Sequence, residues 1–132
     1  MKRNTLLLLI LTWVSILSAQ SLSFTVSVSG TVKNPNGTPV PNATLVISIP
    51  AQTPNGFNYA VKVQTGNLGG YEHKIIVPST TPLGKLTVEL YNCDGKSIIQ
   101  SAEFALGREN KFVMDFIFCK EHTNNECAAA IV

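Results

Sequence analysis

Phe24-Thr-Val-Ser-Val-Ser-Gly-Thr-Val-Lys-Asn-Pro-Asn-Gly-Thr-Pro-Val-Pro-Asn-Ala-Thr-Leu-Val-Ile-Ser-Ile49 is two alternating runs around a knot of turn formers. In the first run Phe24, Val26, Val28, Gly30 and Val32 share one face, and Thr25, Ser27, Ser29, Thr31 and Lys33 the other. That period of two is the signature of a strand with one buried side. Asn34 to Asn42 then holds Pro35, Gly37, Pro39 and Pro41, and proline supplies no N–H to continue a ladder. Ala43, Leu45, Ile47 and Ile49 form the inward face of a second strand.

The same alternation recurs along the chain. Phe57, Tyr59, Val61 and Val63 mark a third strand, and Tyr71, His73, Ile75 and Val77 a fourth after the glycine-rich turn Gly66–Gly70. Leu86, Val88 and Leu90 define a fifth, Lys96 to Phe104 a sixth, and Phe112, Met114, Phe116 and Phe118 a seventh. No stretch after the N-terminal run has a helical period of useful length. About seven short strands with regular turns predict an all-β, single antiparallel β-sandwich of immunoglobulin or transthyretin-like kind over 22–119.

Two segments stand outside that domain. Residues 1–19 carry Lys2 and Arg3, then an apolar run from Leu6 to Leu17. About 12 residues make a helix of ~18 Å, too short for a ~30 Å hydrocarbon core, so the expectation is a signal peptide rather than a stable membrane insertion. Cleavage falls after Ala19 or after Ser21, and the protein is expected to be secreted or at the cell surface. Residues 120–132 read as a loosely held tail. Of 132 residues 14% are charged, and losing the leader takes Lys+Arg from 10 to 8 against 8 Asp+Glu. A neutral chain without a basic block argues against nucleic acid as a partner.

Three cysteines in an exported chain predict one disulfide and one spare thiol. Cys93 shares the parity of Lys85, Thr87 and Glu89, and Cys119 that of Lys111 and Asp115. Both sit at strand ends away from the core, which favours Cys93–Cys119, with Cys119–Cys127 as the alternative. No CxxC or Cys/His cluster predicts a metal site.

Catalytic and cofactor signals are absent: no Gly-x-Ser-x-Gly, HExxH, phosphate-binding or dinucleotide-binding pattern occurs. His73 has core phase and His122 lies in the polar tail. Asn92 and Asp94 could touch a calcium ion, but an Asp-Gly turn explains both. The one tryptophan, Trp13, lies in the leader, and Tyr91 alone among the other aromatics falls on polar parity. Tyr91 is therefore the candidate ligand contact. These features predict a non-catalytic binding or structural module with an unidentified protein or glycan partner. Two alternatives stand beside it. One is a carbohydrate-binding module; the other is self-association into a filament, with Ser23–Lys33 donated to a neighbouring sandwich.

The stretch Gly30-Thr-Val-Lys-Asn-Pro-Asn-Gly-Thr-Pro-Val-Pro-Asn-Ala-Thr-Leu-Val-Ile47 resembles the opening of carboxypeptidase regulatory-like domains, small transthyretin-like sandwiches within the carbohydrate-binding-like fold. Thr65 to Gly70 followed by Tyr71 resembles the second half of that pattern: a threonine, a glycine turn and an aromatic. Tyr91-Asn-Cys-Asp-Gly95 and Phe116-Ile-Phe-Cys119 resemble secreted bacterial surface domains, and the resemblance implies the 93–119 pairing. It implies a fold and nothing about chemistry.

Overall fold

The computed structural model describes residues 22–119, so the leader, the tail, His122 and Cys127 lie outside the described residues. Among the described residues eight strands run in the order β1 (Ser23–Lys33), β2 (Thr44–Ile49), β3 (Tyr59–Gln64), β4 (Gly70–Pro78), β5 (Leu83–Tyr91), β6 (Ser97–Ala105), β7 (Lys111–Val113) and β8 (Phe116–Ile117). They form a β-sandwich: one sheet is ordered β4-β1-β7 with β8 also on β1, and the other β3-β2-β5-β6. Among the described residues there is no helix long and apolar enough to cross a membrane.

The inward faces are those the alternation marks. Val26, Val28 and Val32 meet Leu45, Ile47 and Ile49, with Leu86, Val88, Leu90 and Phe104 closing the interior. All are at most 1% exposed, so each of these side chains contributes about 1.5–3 kcal/mol by leaving water. Phe24, Phe57, Tyr59, Phe112 and Phe118 pack against this core.

One expectation needs correction. The seventh strand is two short strands, and both run parallel to β1, with Ser27 opposite Lys111 and Val32 opposite Phe116. All other pairings are antiparallel. The break falls at Met114–Asp115, where Asp115 turns its carboxylate back to accept the Thr31 N–H at 2.8 Å and the Thr31 hydroxyl at 3.1 Å. A side chain thereby takes the place of a ladder carbonyl. Strand β1, the segment of the strand-donation alternative, pairs in place and is not an edge strand. It pairs with β4 from Ser23 to Thr31 on one side, and with β7 and β8 on the other. Donating β1 to a neighbour would strip its own sheet of its middle.

The residues of the β1–β2 and β3–β4 turns interlock. Thr65 is 3% exposed; its hydroxyl accepts the Ala43 N–H at 2.8 Å and donates to the Val40 carbonyl at 2.6 Å. Thr65→Val keeps the shape but strands both partners, so it is expected to lower stability by about 2 kcal/mol. A urea titration measures that, and a loss under about 0.5 kcal/mol would remove the clamp.

Candidate functional site

On the outer face of β1, Thr25, Ser27, Ser29 and Thr31 are short side chains in the middle of a sheet. Their neighbours are long. The register places Ser27 between Lys74 of β4 and Lys111 of β7, and Ser29 between Glu72 and Val113. A row of hydroxyls flanked by taller walls is a trench. Ser27, Ser29 and Thr31 are half-buried although they point away from the core, while Glu72, Lys74, Lys111, Val113 and Asp115 are exposed. Two hollows of about 520 Å³ and about 280 Å³ overlap along it, sharing Ser29, Glu72 and Val113.

The trench is charged in rows. Two lysines flank Ser27 in the register, Glu72 stands beside Ser29, and Asp115 closes the Thr31 end. Among the described residues the recorded ion pair is Lys111–Glu109, at 3.9 Å with both side chains largely exposed. Such a pair contributes little and yields readily.

Beneath the trench Tyr71 is 7% exposed and its hydroxyl donates to the Met114 carbonyl at 2.6 Å. Burial first, and the Asp115 carboxylate second, push the Tyr71 phenol well above its ordinary value of 10.0. The neutral phenol is the form the fold favours. Its contribution is therefore complete below the unfolded value near pH 10 and is lost as pH rises toward the raised folded value. Urea midpoints are expected to fall above about pH 10 in the parent protein, and less steeply in Tyr71→Phe. Parallel alkaline slopes for the two proteins would contradict this.

The structure places the remaining candidates elsewhere. Tyr91 ends β5 on the outer face of the other sheet and is 47% exposed, so it does not reach the trench. His73 is half-buried in β4, and its Nε2 lies 2.6 Å from the Tyr59 hydroxyl across the open side of the sandwich. Tyr59 in turn stacks on Phe57 with ring centroids 6.3 Å apart. The pair joins a histidine to a hydroxyl, and no carboxylate contact to it is recorded among the described residues.

Cys93 and Cys119 form a disulfide with Cα atoms 5.5 Å apart. Beside it Asn92 is 8% exposed and its Oδ1 accepts the Cys119 N–H, so Asn92 docks the chain just after β8. Asp94 Oδ1 accepts the Lys96 N–H within the turn. Among the described residues no group of three potential ligands could hold a metal ion.

Residue reading missed Asn110, which is 6% exposed. Its side chain bonds both the N–H and the carbonyl of Ala105, and so shapes the turn that delivers β7 to β1. An isolated asparagine after Gly107 carries no signal for that. It missed the trench for another reason: the hydroxyl row is visible in the sequence, but its walls come from strands whose adjacency is not.

No family model matches this chain, and no curated protein matches it. Among solved structures it is similar to 3-chlorocatechol 1,2-dioxygenase from Rhodococcus opacus 1CP, with a TM-score of 0.50 and 12% identity over 74% of this chain and 60% of that one. Chlorocatechol 1,2-dioxygenase from Pseudomonas putida gives a TM-score of 0.47 and 12% identity, covering 63% and 46%. Catechol 1,2-dioxygenase from Acinetobacter sp. ADP1 gives 0.46 and 16%, covering 86% and 49%. The chain spans 60% or less of the length of these enzymes. At such identities the likeness shows the fold alone. The expectation of a non-catalytic surface module is corrected to this extent: 3-chlorocatechol 1,2-dioxygenase, an enzyme, has a similar sandwich, and the likeness reaches no further than the fold.

Proposed function

We propose that this chain handles a small polar substrate in the trench of the β4-β1-β7 sheet. The observation that carries this is the row Ser27, Ser29 and Thr31, half-buried yet outward-facing, between charged walls that overlapping hollows follow. Hydroxyls that donate and accept, beside ammonium and carboxylate groups, suit a ligand rich in polar groups. No bond-making step is assigned to the site. The test is a ligand-observed NMR screen of polar compounds against the parent and Ser29→Trp, which fills the trench from the outer face. Binding that disappears in the folded variant supports the reading, and following the bound compounds over time reads any turnover. Binding indifferent to Ser29→Trp, or none at all, would overturn it.

We further propose that the domain is of the carboxypeptidase regulatory-like kind and is exported. Several residues of the resembling motifs have structural duties that support the first reading. Thr65 clamps two turns, Ala43 is 5% exposed, Gly69 has φ +75°, and Tyr71 anchors Met114. The disulfide supports the second. Sequencing the N-terminus of protein recovered outside the cytoplasm tests export: a start at Gln20 or Leu22 is expected, and retention of Met1 with cytoplasmic recovery would refute it.

A further inference from the structure

We infer that the substrate of the trench is a zwitterion of dipeptide length, an inference that rests on the trench being the binding site. Lys74 and Lys111 flank Ser27 from opposite sides and line one hollow with it, the Lys111 ammonium lying 3.9 Å from Glu109 in an exposed pair that a ligand carboxylate would replace. Two lysines and a hydroxyl are a set of donors for a carboxylate. Two residues further along β1, Glu72 stands beside Ser29 and offers the complementary anion. The spacing is about 7 Å, two residues at ~3.3–3.4 Å each. An extended dipeptide separates its terminal ammonium and carboxylate by a similar distance, since each residue spans at most ~3.6 Å. The Ser27 and Ser29 hydroxyls lie under its peptide group.

The charges on either side set the length. Asp115 already accepts two hydrogen bonds from Thr31, so Glu72 is the carboxylate on the walls with no such bond recorded among the described residues. Beyond the lysine row, Ile76 faces Thr25 and is 70% exposed, an apolar end to the polar floor. A longer ligand running past the lysine row would push its carboxylate onto Ile76.

The test uses the purified, oxidised protein labelled with ¹⁵N at low salt, with amide shifts of Ser27, Ser29 and Thr31 as the readout. The probes are alanyl-alanine, the same dipeptide blocked at both ends, and acetate. Alanyl-alanine is expected to bind at roughly millimolar concentration, as exposed charges allow. Blocking the ends, or Lys74→Gln with Lys111→Gln, should weaken it about threefold or more. Raising the salt to 0.5 M should weaken it similarly. Equal binding of acetate would overturn the zwitterion and leave the trench a site for a simple anion. Equal binding of the blocked dipeptide would also overturn it. No shift with any probe refutes the ligand class, and the Ser29→Trp comparison then reads separately whether the trench binds anything.

Discussion

Gly30→Ala is expected to cost about 3 kcal/mol or more, enough to leave much of a small domain unfolded. Gly30 sits in the middle of β1 where the chain crosses Met114, at the break between β7 and β8. A Cβ there would overlap the Met114 carbonyl oxygen, lie 2.7 Å from the carbonyl carbon and reach 3.0 Å from the Tyr71 ring. The colliding atoms are backbone, and that same carbonyl is held by the Tyr71 hydroxyl, so nothing nearby can yield cheaply. The damage would spread to the return of Asp115 onto Thr31. A urea titration of Gly30→Ala beside Ser29→Ala checks this. The serine change, on the opposite face, should stay within about 0.5 kcal/mol. A Gly30→Ala protein as stable as its parent would mean the crossing at Met114 is looser than described.

Removing the Cys93–Cys119 disulfide is the second large effect. The bridge closes a separation of 26 residues and ties the β5–β6 turn to the end of β8. Chain entropy makes such a closure worth about 3 kcal/mol, which for a domain of this size is a fall in Tm of roughly 15 °C. Cys93 is exposed, so Cys93→Ser removes the bond with little lost packing. Cys127→Ser is expected to leave Tm unchanged. The reverse pattern, with Cys127→Ser harmful and Cys93→Ser silent, would establish Cys119–Cys127 instead.

Strand phase alone favoured the right pair, because parity tells which side of a sheet a strand-end residue occupies. Parity does not tell which strands are neighbours. That limit explains the error over the seventh strand, and why exchange of β1 stood as an alternative. Ser23–Lys33 is long and β-rich, which reads as a strand available for exchange, and only the sheet order reveals it between two partners. Lys111 to Cys119 alternates without a flaw in the sequence, so nothing local announces the break at Met114–Asp115. Gly30 and Tyr71, far away in sequence, lie opposite it.

The candidate site divides in the same way. Ser27, Ser29 and Thr31 are legible as one face of one strand, whereas Lys74, Lys111 and Glu72 are remote in sequence and join that face only through pairing. Tyr59 and His73 likewise meet across the edge of two sheets.

That the chain is all-β, where most strands lie, and which side chains are inward could all be read from the order of residues. Those properties follow from local backbone geometry, in which successive residues alternate faces and proline or glycine interrupts them. Only the tertiary structure decided that β1 is central, that β7 and β8 run parallel to it, and that a hydroxyl row becomes the floor of a trench. Strand partnership is a long-range choice made by the whole core, and a trench is a difference in height between neighbours that the chain order does not place together.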